Sequence, residues 1–117
     1  MNAQSATDAI TRELASEWAK WFGALSDPTR VLILNLLSTE GRPLTVGEIT
    51  DALDVGQSTI SHHLAKLADV HFVHVEQRST SSYWTVNAAC LAAFPSAAEM
   101  VMGRIPIDFT KAMECST

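Results

Sequence analysis

The chain predicts a mainly α fold carrying one small β-hairpin, in the order helix, helix, helix, helix, strand, strand, helix. Three observations point there. Apolar residues recur at helical spacing from Ile10 to Leu67, the period changes to alternation between Phe72 and Val86, and an alanine-rich helical stretch resumes at Ala88. With 117 residues, no internal repeat and no linker, one compact domain is expected over 1–117, with 1–7 and 104–117 as irregular arms.

Thr7 or Asp8 is expected to cap the first helix, whose apolar stripe is Ile10, Leu14, Trp18, Trp21, Phe22 and Leu25. Ser26-Asp27-Pro28 restarts the chain, a cap followed by proline in the first helical turn. The helix Pro28 to Leu37 is apolar nearly all round, which predicts a place in the middle of the core. Glu40-Gly41-Arg42-Pro43 reads as a loop. Thr45 caps a third helix of about eight residues with Val46, Ile49 and Leu53 facing inward. After the turn Asp54-Val55-Gly56, Gln57 or Ser58 opens a fourth helix whose buried side is Ile60, Leu64 and Leu67. Phe72, Val73 and Val75, then Tyr83, Trp84 and Val86, flank a polar loop over 76–82 and predict a hairpin. The last helix, Ala88 to Met102, contains Pro95 and is expected to kink or split near Phe94.

An apolar fraction of 47% excludes a disordered tail protein, and no apolar run approaches the ~20 residues of a membrane span. The N-terminal MNAQSATDAI has no basic region leading into an apolar stretch, so no signal peptide is expected. Two cysteines imply no disulfide framework and point to a reducing cytoplasm. No nucleophile has a neighbouring base at usable spacing and no glycine-rich phosphate loop is present, so an enzyme is not expected.

The stretch Val46–Leu67 (VGEITDALDVGQSTISHHLAKL) carries the functional signal. It is a short helix, a glycine turn and a second helix whose outer face is Gln57, Ser58, Thr59, Ser61, His62 and Lys66. Side chains of those sizes reach base edges and phosphates, as a helix reading the major groove requires. The net charge of −5 opposes DNA binding, yet no acid lies between Val55 and Lys66, and Asp69 is the next one. One such helix with little positive charge binds weakly, so two copies acting on one duplex are expected. Gln57 and His62 suit base edges; Lys66 and Arg78, the latter on the hairpin, suit phosphate or the minor groove. The rival is a scaffold that binds protein through the same surface. His63, three residues after Ile60, is expected to be half-buried in a packing role, and Trp18, Trp21 and Phe22 read as core and seam rather than a ligand box.

The segments 25–37 (LSDPTRVLILNLL) and 58–67 (STISHHLAKL) resemble the ArsR/SmtB family of winged helix-turn-helix regulators, over roughly residues 10–90. The resemblance implies an ααααββα winged helix-turn-helix that dimerises through its first and last helices, with Leu14, Trp18, Trp21, Leu91, Phe94 and Val101 at the seam. It also implies a palindromic double-stranded operator, with the fourth helix in the major groove and the hairpin wing on the adjacent backbone, and control by a metal ion. The family's thiolate site on the third helix falls here on Thr45-Val46-Gly47, which offers no thiolate. Its site on the last helix needs histidine, where this chain has Asn87, Cys90 and Glu99. The remaining metal candidates are His71 and His74, whose imidazoles suit nickel, zinc or cobalt. His71 also falls where a helix-ending glycine is usual, so a left-handed backbone there explains it without a metal. The alternatives are thiol sensing by Cys90 and Cys115, or effector-free action with a protein co-regulator.

Overall fold

The computed structural model describes residues 10–108. Five helices and a hairpin follow in the expected order: α1 (Arg12–Ala24), α2 (Pro28–Glu40), α3 (Val46–Leu53), α4 (Gln57–Asp69), β1 (Val73–Arg78), β2 (Ser81–Val86) and α5 (Ala88–Val101). This is the winged helix-turn-helix order.

Helix α1 starts later than expected. Its cap is Thr11, whose Oγ1 accepts from Leu14 N–H at 3.1 Å, and Ile10 lies outside the helix. Thr7 and Asp8, the expected caps, lie outside the described residues. Asp27 caps α2, with Oδ1 accepting from Thr29 N–H at 2.8 Å and Arg30 N–H at 3.3 Å while Pro28 opens the helix. The helix runs to Glu40 and ends on Gly41, whose φ of 68° is a left-handed stop that glycine adopts without steric cost.

The core is built on the α2–α3–α4 triangle. Ile33 and Leu37 of α2, Ile49 of α3, and Ile60, Leu64 and Leu67 of α4 meet with Leu44, Phe72 and Val73, all but sealed from solvent. On one side α1 adds Trp18 and Trp21, and α5 adds Cys90, Ala93, Ala97 and Met100. An aromatic cluster joins these outer helices within one chain. Phe94 lies 5.2 Å from Phe22 and 5.6 Å, edge-on, from Phe72, while Trp21 stands 6.2 Å from Phe72.

Three expectations are corrected. Helix α2 is not core all round: Val31 and Leu32 are 47% and 51% exposed, because among the described residues the neighbouring elements cover only the Ile33–Leu37 side. Helix α5 is not split. It runs unbroken through Pro95, capped by Asn87, whose side-chain oxygen accepts from Cys90 N–H at 3.4 Å. Proline there forgoes one intrahelical hydrogen bond, and the buried Cys90, Ala93, Ala97 and Met100 face holds both halves on the core. Finally, the hairpin is tighter than a loop over 76–82. Arg78 pairs with Ser81, leaving Ser79 and Thr80 as the turn, with Ser79 at φ 58°.

A pairing not visible in the sequence joins the wing to the helix-turn-helix. Leu44 N–H donates to Trp84 O at 2.9 Å and Trp84 N–H donates to Leu44 O at 2.8 Å, a one-residue third strand just before α3. Residues 104–108 carry no helix or strand, and the rest of the expected arm lies outside the described residues. Among the described residues no helix is long and apolar enough to cross a membrane.

Candidate nucleic-acid interface

The first helix of the pair, α3, is closed at its N-terminus. Thr45 Oγ1 accepts from Glu48 N–H at 3.1 Å, and Glu48 Oε1 accepts from Thr45 N–H at 3.0 Å, a complete capping box. Arg42 Nη1 adds an ion pair to Glu48 Oε2 at 3.2 Å. The Thr45 N–H, with help from Arg42, outweighs the cost of burial and holds the Glu48 carboxyl below its ordinary value. The helix ends at Asp54, whose φ of 56° turns the chain toward α4.

The second helix, α4, begins differently. Its cap is Gly56, with no side-chain hydrogen bond to the first turn, and no acid stands in that turn. The hydroxyls of Ser58 and Thr59 are therefore not spent on capping. Its 13 residues make a rod about 20 Å long. Ile60, Leu64 and Leu67 are fully buried, while Gln57, Ser58, Thr59, Ser61, His62 and Lys66 are all exposed. The spacing that buries one side thus leaves all six expected residues on the surface. The N-terminal N–H groups left without caps carry the positive end of the helix dipole, which favours an anion.

His63 takes the packing role expected of it. Only 12% of its side chain is exposed; Nδ1 lies 3.2 Å from Arg30 Nη1 and Nε2 lies 3.7 Å from Asp27 Oδ1. The exposed His62 ring stands edge-on to it at 5.6 Å. Burial tends to raise the Asp27 carboxyl, but N–H donation from Arg30 and Thr29, with the nearby His63 ring and the Arg30 charge, brings it below the usual range. Sequence reasoning missed Arg30: its partner lies 33 residues away, and no local pattern marks the pairing.

The wing residue Arg78 is exposed but engaged. Its Nε donates to Glu76 Oε1 at 3.1 Å, its Nη2 to Oε2 at 3.4 Å, and its guanidinium lies 4.9 Å from the Tyr83 ring centre. The hydrogen bond to Glu76 raises its already high pKa further. A phosphate must therefore compete with Glu76 for this cation.

The metal candidates form no donor cluster among the described residues. His71 is exposed with φ 65°, the left-handed helix end expected there, and His74 is exposed on β1. Among the described residues no group of three or more His, Cys, Asp or Glu is placed to hold a metal. Cys90 is buried and disulfide-bonded, with Sγ 3.6 Å from Val70 O. Cys115 lies outside the described residues. Of the expected seam, Leu14, Trp18 and Trp21 are covered by their own chain, Leu91 and Phe94 are half-buried, and Val101 is exposed.

Known proteins match this arrangement. The family model described as "Bacterial regulatory protein, arsR family" matches residues 27–75. The chain is 34% identical over 70 residues to the transcriptional repressor SdpR of Bacillus subtilis (strain 168), across 60% of this chain and 76% of that protein. It is 32% identical over 80 residues to the arsenical resistance operon repressor of the same organism, across 68% and 75%. Among solved structures, an ArsR-like transcriptional regulator from Rhodococcus sp. RHA1 superposes with a TM-score of 0.68 at 25% identity, over 76% of this chain and 82% of that one. The homodimeric winged helix-turn-helix DNA-binding domain of Mb0332 from Mycobacterium bovis shares the fold, with a TM-score of 0.63 at 21% identity over 88% and 93%. With its exposed second helix, acid-free in its first turn, and its tethered wing, the chain belongs to the arsR family of bacterial regulatory proteins: it is a DNA-binding transcriptional regulator, not an enzyme.

Proposed function

We propose that the protein acts as a cytoplasmic homodimer on a palindromic operator, each copy laying α4 in the major groove. The observation that carries this reading is the uncapped, acid-free α4 N-terminus with Gln57, Ser58, Thr59, Ser61, His62 and Lys66 all exposed around it. Gln57, Ser61 and His62 read base edges; Ser58, Thr59 and Lys66 meet phosphate, and Arg78 joins them once Glu76 releases it. The second copy covers apolar surface that one chain leaves bare: Val101 with half-buried Leu91 and Phe94, and beside them Phe22 and Met102. The homodimeric state of the Mb0332 domain supports that arrangement.

Among the described residues, the metal control implied by the family finds no matching set of donors. The Thr45–Gly47 stretch offers no thiolate, α5 offers no histidine, and His71 and His74 have no third donor beside them among the described residues.

Selection from a pool of random duplexes tests the reading. An inverted repeat should emerge, with affinity falling steeply as salt rises. At that site His62→Ala and Ser61→Ala should each cost about 1–3 kcal/mol, the scale of one base contact. Unchanged affinity in both removes the assigned reading face. Failure to select any sequence favours the protein-binding scaffold.

A further inference from the structure

We propose that Arg30, His63 and Asp27 fix the angle between α1 and the reading helix α4, and through it the separation of the two reading helices in the dimer. This rests on the dimeric reading above, since only a pair of copies has a separation to set.

Arg30 sits at a corner where three elements meet. Its Nε donates to Ala24 O at 2.6 Å and its Nη2 reaches Gly23 O at 3.5 Å, both carbonyls in the last turn of α1. Its Nη1 reaches His63 Nδ1 on α4 at 3.2 Å. Arginine only donates, so Nδ1 is the acceptor and the ring proton sits on Nε2, the side facing Asp27 Oδ1. That same Asp27 oxygen caps α2. One imidazole is thereby held between the end of α1, the start of α2 and the body of α4.

The other contacts that seat α4, made by Ile60, Leu64 and Leu67, are apolar and without direction. They keep the helix on the core but set its tilt weakly. Hydrogen bonds have strict geometry, and the planar guanidinium fork presents its donors in a rigid arrangement. Dimerisation through α1 and α5 makes the α1–α4 angle a lever: a change of tilt moves both reading helices relative to the dimer axis. Two half-sites must lie about 34 Å apart on one face of the duplex, so the lever's setting is a selectivity determinant. His63 and Arg30 are positioning residues in this account and touch no base.

The test uses the full chain and three duplexes. These are the inverted repeat selected by the wild-type protein, that repeat with one base pair inserted between its halves, and that repeat with one half scrambled. One added base pair shifts the halves by about 3.4 Å, so the wild-type chain should bind the inserted duplex at least about tenfold more weakly than its own. In His63→Ala and Arg30→Met that ratio should fall below about threefold, while affinity for the half-scrambled duplex stays within about twofold of wild type. His63→Asn keeps an acceptor where Nδ1 stood and should restore the ratio. Sedimentation should report dimers for all four proteins. Should His63→Ala fail to fold by thermal melting, Arg30→Met and His63→Asn carry the comparison.

Variants that keep the wild-type ratio, that lose affinity equally on the half-scrambled duplex, or an Asn variant that behaves like Ala, overturn the proposal. A wild-type chain that sediments as a monomer or selects no inverted repeat overturns the dimeric reading instead, before any variant is made.

Discussion

The helices α3 and α4 are joined by a turn of three residues, and their N-termini are finished in opposite ways. At α3 a threonine, a glutamate and an arginine close the helix end. At α4 a glycine leaves it open, with hydroxyls beside it that bond to nothing in the first turn. Both ends carry the same orphan N–H groups, so the difference is one of use. Closing an end stabilises the fold, whereas leaving one open and free of acid reserves its donors for an outside anion.

The sharpest way to break this contrast is to close α4 as well. Gly56 has φ −59°, and a Cβ there meets nothing within 4 Å, so Gly56→Asp is sterically free. It should fold with an unchanged or raised melting temperature yet bind the operator about tenfold or more weakly, since the new carboxylate both caps the donors and repels phosphate. Equal binding in a gel-shift titration would mean that the open end is not used. The reciprocal change, Thr45→Ala, should cost about 1 kcal/mol in urea unfolding and leave the affinity of the folded protein intact.

Acid should expose the same asymmetry. The Glu48 and Asp27 carboxyls are both held below their ordinary values of 4.5 and 3.8. Each therefore adds stability that is complete above those values and disappears as pH falls through the lower folded ones. Unfolding midpoints measured from pH 6 to pH 2 should show this loss, and Glu48→Gln should flatten its share while no such share arises from the first turn of α4. The smallest effect belongs to the wing: Glu76→Gln frees Arg78 and should tighten DNA binding by about threefold at low salt, the scale of a surface ion pair. No gain would mean that Arg78 stays on Tyr83 rather than reaching phosphate.

Local pattern made most of this legible in the sequence. Ile60, Leu64 and Leu67 told the buried side of α4 from the outer one, and Thr45 and Gly56 marked the two helix starts, because caps and periodicity act over a few residues. What escaped was non-local or depended on neighbours. Val31 and Leu32 look like core in an apolar helix, and only the count of surrounding elements leaves them bare. Pro95 looks like a breaker, and only the buried face on both sides of it carries the helix through. The Arg30–His63 contact and the Leu44–Trp84 pairing join residues far apart in the chain, which no spacing rule anticipates.

The Leu44–Trp84 pairing gives the hairpin a fulcrum. From Trp84 to the Ser81 end of its strand is roughly 10 Å at strand rise, the length of arm that stands beyond the pinned root. Because the pin is the residue before the Thr45 cap, any strain that tugs Leu44 is felt at once at both the hairpin's base and the start of α3. The base of the hairpin and the start of the helix-turn-helix are thus tied together by two hydrogen bonds, so that neither shifts without the other.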